Sequence, residues 1–371
     1  AQGPSGARRL RALKAYQTAL RLDPDNWRIL TGYGEALLPW RVIQDSNPQV
    51  SEALLLRRAI WALERALRAA PSAARPHLAL YWAYLARGAD ERAAEQLRQV
   101  WRKNYFPQAC VDFAYDLLVS VDPGGYLITG GDLDTYPALM LQVAQGLRTD
   151  VTVVNVSMFN APWYALYLAR QRGLPLSLDS SALVRLRPRF VRRWQRVVPP
   201  SLQVLADAVS SPGRSRGSFY FSITVDRAVL AGFKPLLSLE GFVYRLGARQ
   251  QDIPVNRRIC SSNLLSRYRI PEFDSRPLGR SSRARGLPSV GYESLDCRSL
   301  AVDCGAAFLA LADEMASLGD TVQAIELCQR AAGFLIWAGR KRGLDFLVRY
   351  WLRLAPADKS ALELLRSHLS R

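Results

Sequence analysis

The sequence predicts helical repeats at both ends of the chain, flanking a small, mostly parallel α/β domain. Three observations carry this. Apolar residues recur at helical spacing in the first and last hundred or so residues. Short β-branched runs alternate with a helix in the centre, and an arginine- and proline-rich stretch without periodicity follows them. Those patterns divide the chain into N-terminal helices over 1–120, an α/β domain over 121–250, an irregular Arg/Ser/Pro-rich arm over 251–300 and C-terminal helices over 301–371.

The first segment, "RRLRALKAYQTALRLDPDN", places Leu10, Leu13, Tyr16, Leu20 and Leu22 near one face, and Asp23-Pro24-Asp25 stops the helix. "LLRRAIWALERALRAAPSA" repeats the device, with Ile60, Leu63, Ala66 and Leu67 as the stripe and Pro71 as the stop. The octets "ALRLDPDN" (19–26) and "ALRAAPSA" (66–73) lie 47 residues apart. A third helical pair turns at Gly88. In the C-terminal part "CGAAFLALADEMASLGDTVQAIELCQRAAGFL" reads as helix, Gly-Asp turn, helix, and "LRLAPAD" (352–358) echoes "LRLDPDN" (20–26). Alternating large and small residues, with a proline after each second helix, resemble tetratricopeptide repeats, whose helix pairs stack because each is too small to bury its apolar face alone.

In the centre, Tyr126–Thr129 and Val151–Val156 are compact apolar runs expected to be buried parallel strands joined by a helix over 135–147. "NAPWYALYLARQRGL" (160–174) is a further helix, and "GSFYFSITV" (217–225) and "LLSLEGFVYRL" (236–246) are read as two more strands. Together these make a small Rossmann-like sheet. The stretch 183–216 is arginine-dense, and 252–295 is expected to lie extended over a surface or to fold on a partner.

The formal net charge is +18, and 45 of the 50 basic residues are arginine. Such a surface attracts acidic protein faces, lipid headgroups or nucleic acid. No apolar run approaches the ~18 residues of a membrane span. Two histidines, His77 and His368, leave little from which to build a zinc site or a Ser-His-Asp triad, and no metal or cofactor is expected. Among the five cysteines, Cys260, Cys297 and Cys304 flank the irregular stretch and could supply one disulfide in an oxidising compartment. The Ala-Gln start fits a mature end left by signal cleavage, so an extracytoplasmic setting (periplasm or cell surface) is expected, with the cytoplasm as the alternative.

Several residues stand out as candidate ligand contacts. In "LITGGDLDTYP" the acidic Asp132 and Asp134 follow Gly130 and Gly131 at a strand end. Asp134 or Thr135 can cap the next helix, with Pro137 in its first turn; the same carboxylates could instead hold a cation or sugar hydroxyls. They would repel phosphate. Asn155, Asn160, Trp163 and Tyr164 follow the second strand, at the edge where open α/β sheets bind ligands, and with the aspartates would line one carbohydrate-stacking crevice. Glu240 and Arg245 are expected to form an edge-strand ion pair. The basic stretch "RLRPRFVRRWQR" interleaves Arg185, Arg187, Arg189, Arg192, Arg193 and Arg196 with Phe190 and Trp194, a composition suited to an anionic partner.

The span "DFAYDLLVSVDPGGYLITGGDLDTYPALMLQVAQGLRTDVTVVNVSMFNAPWY" (112–164) resembles the C-terminal region of the multi-spanning protein O-mannosyltransferase family. That region has a strand leading into a Gly-Asp-x-Asp-Thr-aromatic-Pro loop, a helix, an "RPDV"-like turn, a "VVNLS"-like strand and an "NTPWY"-like helix start. "FYFSITV" and "LEGFVYRL" are similar to its later strands, and helical repeats commonly follow it. Glycosyl transfer in the family belongs to the membrane-embedded half, which is not in this sequence, and Leu133 stands where the family shows a polar residue. The resemblance therefore implies the fold and is the motive for a carbohydrate-handling or glycosyltransferase-accessory reading, whereas a scaffold reading rests on the helical repeats at both ends, the 252–295 arm and the lack of a catalytic constellation. The expected function is a non-catalytic scaffold or accessory subunit that binds other protein subunits through its helices and the 252–295 arm. The alternatives are a carbohydrate-binding or glycosyltransferase-accessory module using the Asp132/Asp134 crevice and, third, an anionic-lipid or nucleic-acid binder.

Overall fold

The computed structural model describes residues 4–38, 52–191, 196–211, 217–247, 254–273 and 297–369. In chain order the elements are α1 (Pro4–Leu22), α2 (Trp27–Leu37), α3 (Glu52–Ala69), α4 (Arg75–Ala86), α5 (Asp90–Arg102), α6 (Gln108–Ser120), β1 (Tyr126–Thr129), α7 (Asp132–Gln145) and β2 (Thr152–Asn155). A 3-10 turn (Val156–Asn160), α8 (Pro162–Arg172), α9 (Ser180–Arg185), β3 (Arg189–Val191), β4 (Arg196–Val198), α10 (Pro200–Ser210), β5 (Phe219–Ser222) and α11 (Arg227–Leu230) follow. The remainder comprises β6 (Leu237–Leu239), β7 (Val243–Leu246), α12 (Arg257–Ser262), α13 (Arg298–Ser317), α14 (Thr321–Trp337), α15 (Lys341–Leu354) and α16 (Lys359–Leu364). The fold is mostly helical, with helices in packed pairs and one five-stranded mixed sheet.

The chain divides into two compact units, one of 1–106, 139–147 and 155–215, the other of 107–138, 148–154 and 216–371. In the first, α1 to α5 pack each against the next. The two octets that echo each other in sequence make the same turn. Asp23 N–H reaches Ala19 O at 2.9 Å and Asn26 N–H reaches Asp23 O at 3.4 Å; Ala70 N–H reaches Ala66 O at 2.9 Å and Ala73 N–H reaches Ala70 O at 3.0 Å. The third echo, in the second unit, repeats it: Ala355 N–H to Trp351 O at 2.9 Å, Asp358 N–H to Ala355 O at 3.1 Å. Proline at the second turn position (Pro24, Pro71, Pro356) fixes φ and cannot prolong the helix. Asn26 and Asp358 then cap the next helix through their side chains.

A second recurrent turn uses glycine. Gly88, Gly319 and Gly339 have φ of 74°, 84° and 64°. After each, the next residue's N–H bonds a carbonyl five residues back: Ala89 to Tyr84 at 2.9 Å, Asp320 to Met315 at 3.0 Å, Arg340 to Leu335 at 3.0 Å. This is the Schellman closure, which needs a left-handed residue and so favours glycine. Five residues past each glycine a buried side chain (Ala93, Ala324, Leu344) re-enters the packed face.

The sheet has order β2-β1-β5-β7-β6, with β1 parallel to β5 and both β7 pairings antiparallel. This corrects the mostly parallel expectation. "LLSLEGFVYRL" is two strands, because Gly241, at φ 94°, reverses the chain between Leu239 and Val243. Three linking residues are too few for a parallel crossover, so β6 and β7 must pair antiparallel. The stretch 183–216 also holds more structure than its composition suggests: α10, opened by Pro200, buries Leu202, Val204, Leu205 and Ala208. Its proline followed by an apolar stripe was a legible start signal.

Nor is the 252–295 stretch an extended arm where it is described. Residues 254–273 add α12 and a wide turn that buries Cys260, Asn263, Leu264 and Tyr268. The Tyr268 ring lies 5.0 Å from that of Phe242, which in turn meets Phe113 at 5.4 Å and Phe308 at 6.4 Å. Phe308 stacks on Phe334, and Phe273 sits 4.6 Å from Trp337. Aromatic rings bury large areas each, so this column ties α6, the β6–β7 turn, the 254–273 segment and α13–α14 together within the second unit. Residues 274–296 lie outside the described residues, as do 252–253.

Candidate functional site

The strand order places a reversal at β1: the chain leaves β1 towards β2 on one side, while β5 lies on the other. In open α/β sheets the gap at the carboxyl ends of two such strands is where ligands sit. Here the loops after β1 and β5 meet there. Gly130 comes so close that a Cβ on it would lie 2.8 Å from the Thr224 carbonyl oxygen. Only glycine fits that approach without moving backbone.

Asp134 joins the two loops and is 1% exposed. Its Oδ2 accepts from Gly130 N–H at 2.8 Å and from the Thr224 hydroxyl at 2.5 Å, and its Oδ1 accepts from Gly131 N–H at 2.9 Å. The Thr129 and Thr135 hydroxyls meet beneath it at 2.7 Å, and Thr129 also donates to Val154 O. Burial pushes the Asp134 carboxyl above the usual carboxylate range, partly offset by these donors. The helix thus begins at Asp132, not 135, and Asp134 reaches back to the glycine loop rather than forward into the helix's first turn. Asp132 is exposed. Nearby in the same unit, Asp303 on α13 feels both Arg227 and Asp134; burial pushes its carboxyl up to about 6.

The remaining candidates of the crevice belong to the other unit. Asn155 Oδ1 accepts from Ser157 and Met158 N–H (2.9 and 3.3 Å), and its own N–H donates to the Tyr164 hydroxyl at 3.1 Å. Asn160 donates to Ser157 O at 2.9 Å and accepts from Ser201 N–H at 3.4 Å. Trp163 is half-buried and edge-on to the buried Tyr164, which is edge-on to Trp82. The structure therefore brings together Asp134 with Thr224, and Asn155 with Tyr164.

One carboxylate, Glu240, was read differently in the sequence. Glu240 sits in the β6–β7 turn, 3% exposed, and accepts from Asn256 Nδ2 at 2.9 Å; burial raises its pKa. Arg245 pairs instead with Asp122 at 3.0 Å. The expected Glu240–Arg245 ion pair is replaced because the hairpin turns Glu240 inward, to the 254–273 segment. Sequence reasoning missed Asp116 altogether. It is buried on α6, accepts from Arg269 and Ile270 N–H at 2.8 and 3.2 Å, and burial pushes it up to about 7. Thr224 was missed too, although a polar residue just past a parallel strand marks that edge.

The arginine stretch forms a two-stranded ribbon in the first unit. β3 and β4 pair antiparallel with Phe190 opposite Val197 and Arg189 opposite Val198. Phe190 and Val197 are 55% and 57% exposed, while Val198 is buried on the other face. Gln203 Nε2 pins the ribbon, donating to Arg187 O at 2.7 Å and Val198 O at 3.4 Å. Arg185, Arg187 and Arg189 are exposed. Arg192 and Arg193, and the side chain of Arg196, lie outside the described residues.

An α/β unit with a closed glycine–aspartate corner, set among helix pairs, is the class these features define. Residues 110–182 match the family model described as TMEM260-associated domain 2. The match covers 73 of the 371 residues, α6 through α8, and is a likeness of that stretch to a domain associated with TMEM260, a protein O-mannosyltransferase family. No curated protein matches the chain. Among the described residues no helix is long and apolar enough to cross a membrane.

Proposed function

We propose that this protein is a non-catalytic scaffold or accessory subunit that binds protein partners in a larger, membrane-associated or extracytoplasmic assembly. The observation that carries this reading is the β3–β4 ribbon. It presents an apolar pair, Phe190 and Val197, beside exposed arginines, with Gln203 holding its base. Interface cores favour aromatic residues and arginine, and a basic rim steers acidic partners. The helix pairs, taken as tetratricopeptide-like from their recurrent proline and glycine turns, supply further binding surface. The chain as a whole, beyond 110–182, is taken to follow the C-terminal region of the O-mannosyltransferase family.

The test is affinity capture from native extract with wild type and a Phe190→Ser/Val197→Ser variant, followed by cross-link mapping. A partner cross-linked at 185–191 and lost in the variant supports the reading. A monomer by light scattering, with no cross-link to that ribbon, overturns it.

The carbohydrate reading draws support from the O-mannosyltransferase match alone. With Asp134 engaged by two loops, a sugar there would have to displace Thr224 and both glycine N–H groups, whereas Asp132 is exposed. Titration of glycans and sugar nucleotides against wild type and Asp132→Ala decides it. Binding to anionic vesicles or nucleic acid that weakens steeply with salt would favour the third reading.

A further inference from the structure

We propose that Cys110 and Cys297 are a disulfide-forming pair, closed while the chain folds in an oxidising compartment. Their sulfurs face each other at 3.5 Å across 187 residues of sequence. Cys110 lies in the first turn of α6 and Cys297 is the residue just before α13; both belong to the second unit, and both are buried, at 0% and 1% exposure. A disulfide needs sulfurs about 2.0 Å apart, so closure requires an approach of about 1.5 Å. Two thiols directed at each other inside a core, from segments so distant in sequence, are a different observation from five scattered buried cysteines. Cys260 and Cys328 lie on α12 and α14. Cys304 is the one competitor: seven residues after Cys297 on α13, it shares roughly the same helix face and is close enough to influence Cys110.

The chemistry fixes when the bond forms. Contact with Cys297 and burial both raise the Cys110 thiol above its ordinary value, so the folded protein offers little thiolate at neutral pH. An oxidant reaches these sulfurs in the unfolded or partly folded chain. There, one cysteine thiolate attacks a sulfur of the oxidant's disulfide and expels a thiolate. The second cysteine then attacks the resulting mixed disulfide at the first cysteine's sulfur and expels the oxidant's other thiolate. Two protons and two electrons leave the pair, and the oxidant's disulfide ends as two thiols. This pairing differs from the one expected among Cys260, Cys297 and Cys304, because the partner of Cys297 comes from α6.

The test uses the full chain, denatured and reduced, then refolded with a mixture of oxidised and reduced glutathione. Expected are three titratable thiols instead of five after denaturation, and a peptide joining Cys110 to Cys297 that is lost on reduction. Cys304→Ala should keep that peptide; Cys297→Ser should lose it. Native reduced protein should react with the same oxidant at least tenfold more slowly than the refolding chain. Reducing the bond should lower Tm by on the order of 5 °C. Five thiols after oxidative refolding, or a peptide joining Cys304 to either residue, overturns the proposal. Should Cys297→Ser fail to fold, the mapped wild-type and Cys304→Ala peptides still decide it. The outcome is independent of which partner the ribbon binds.

Discussion

The glycine–aspartate corner and the arginine ribbon are opposites. The corner carries the residues that look most like a site, yet its buried carboxylate is engaged by donors from two loops. The ribbon has no such motif, but it holds an apolar pair more than half exposed beside arginines. Polar groups that satisfy one another inside a fold stabilise it, whereas apolar surface left in water favours association. The motif-bearing sequence thus satisfies its polar groups within the fold, and the plain one faces outward.

The largest effect should come from breaking the corner. Asp134→Ala strands two N–H groups and a hydroxyl and should cost about 2–4 kcal/mol in urea unfolding. Gly130→Ala drives a methyl against the Thr224 carbonyl and should cost about 1–3 kcal/mol by the same measurement. The ribbon variant Phe190→Ser/Val197→Ser should change stability by less than about 0.5 kcal/mol while impairing partner capture. If Asp134→Ala were neutral, the corner would not be the structural joint described here.

A graded effect separates the two regions by pH. Asp303 and Asp116 hold their protons up to about 6 and about 7 in the folded chain, whereas an unfolded aspartate loses its proton near 4. Between those values the folded chain binds more protons, so stability should fall as pH rises from about 4 to about 7, by at most about 1.4 kcal/mol per pH unit for each group. Asp116→Asn should flatten that slope in denaturant titrations run at several pH values. Residues 185–198 contain no carboxylate, so partner binding through the ribbon should change less than stability over the same range.

Much of the helical part was legible because its signals are local. Proline and glycine turns act through their own φ angles, and the echoing octets and "LAPAD" fold alike. The failures came where distant residues decide. Nothing within "LLSLEGFVYRL" says that Gly241 reverses the chain; the reversal is backed by the Tyr268 hydroxyl, which would crowd any Cβ there at 2.6 Å. Residues 254–273 look irregular because Tyr268 and Phe273 anchor the segment without periodicity. For the candidate site, the sequence picked out Asp134 as a capping residue but gave neither its direction nor Thr224, 90 residues away. The arginines were plain from composition, while the facing of Phe190 and Val197 depends on a strand register that composition does not contain.

The three glycine turns have a consequence for how such a chain varies in length. Each joint is closed by hydrogen bonds of its own helix end, with a small or apolar residue returning to the packed face five positions on. A change by a whole helix pair would leave such a junction intact, whereas losing one residue inside a helix would rotate every later side chain by about 100°. Homologous chains should differ here by modules, not by single residues.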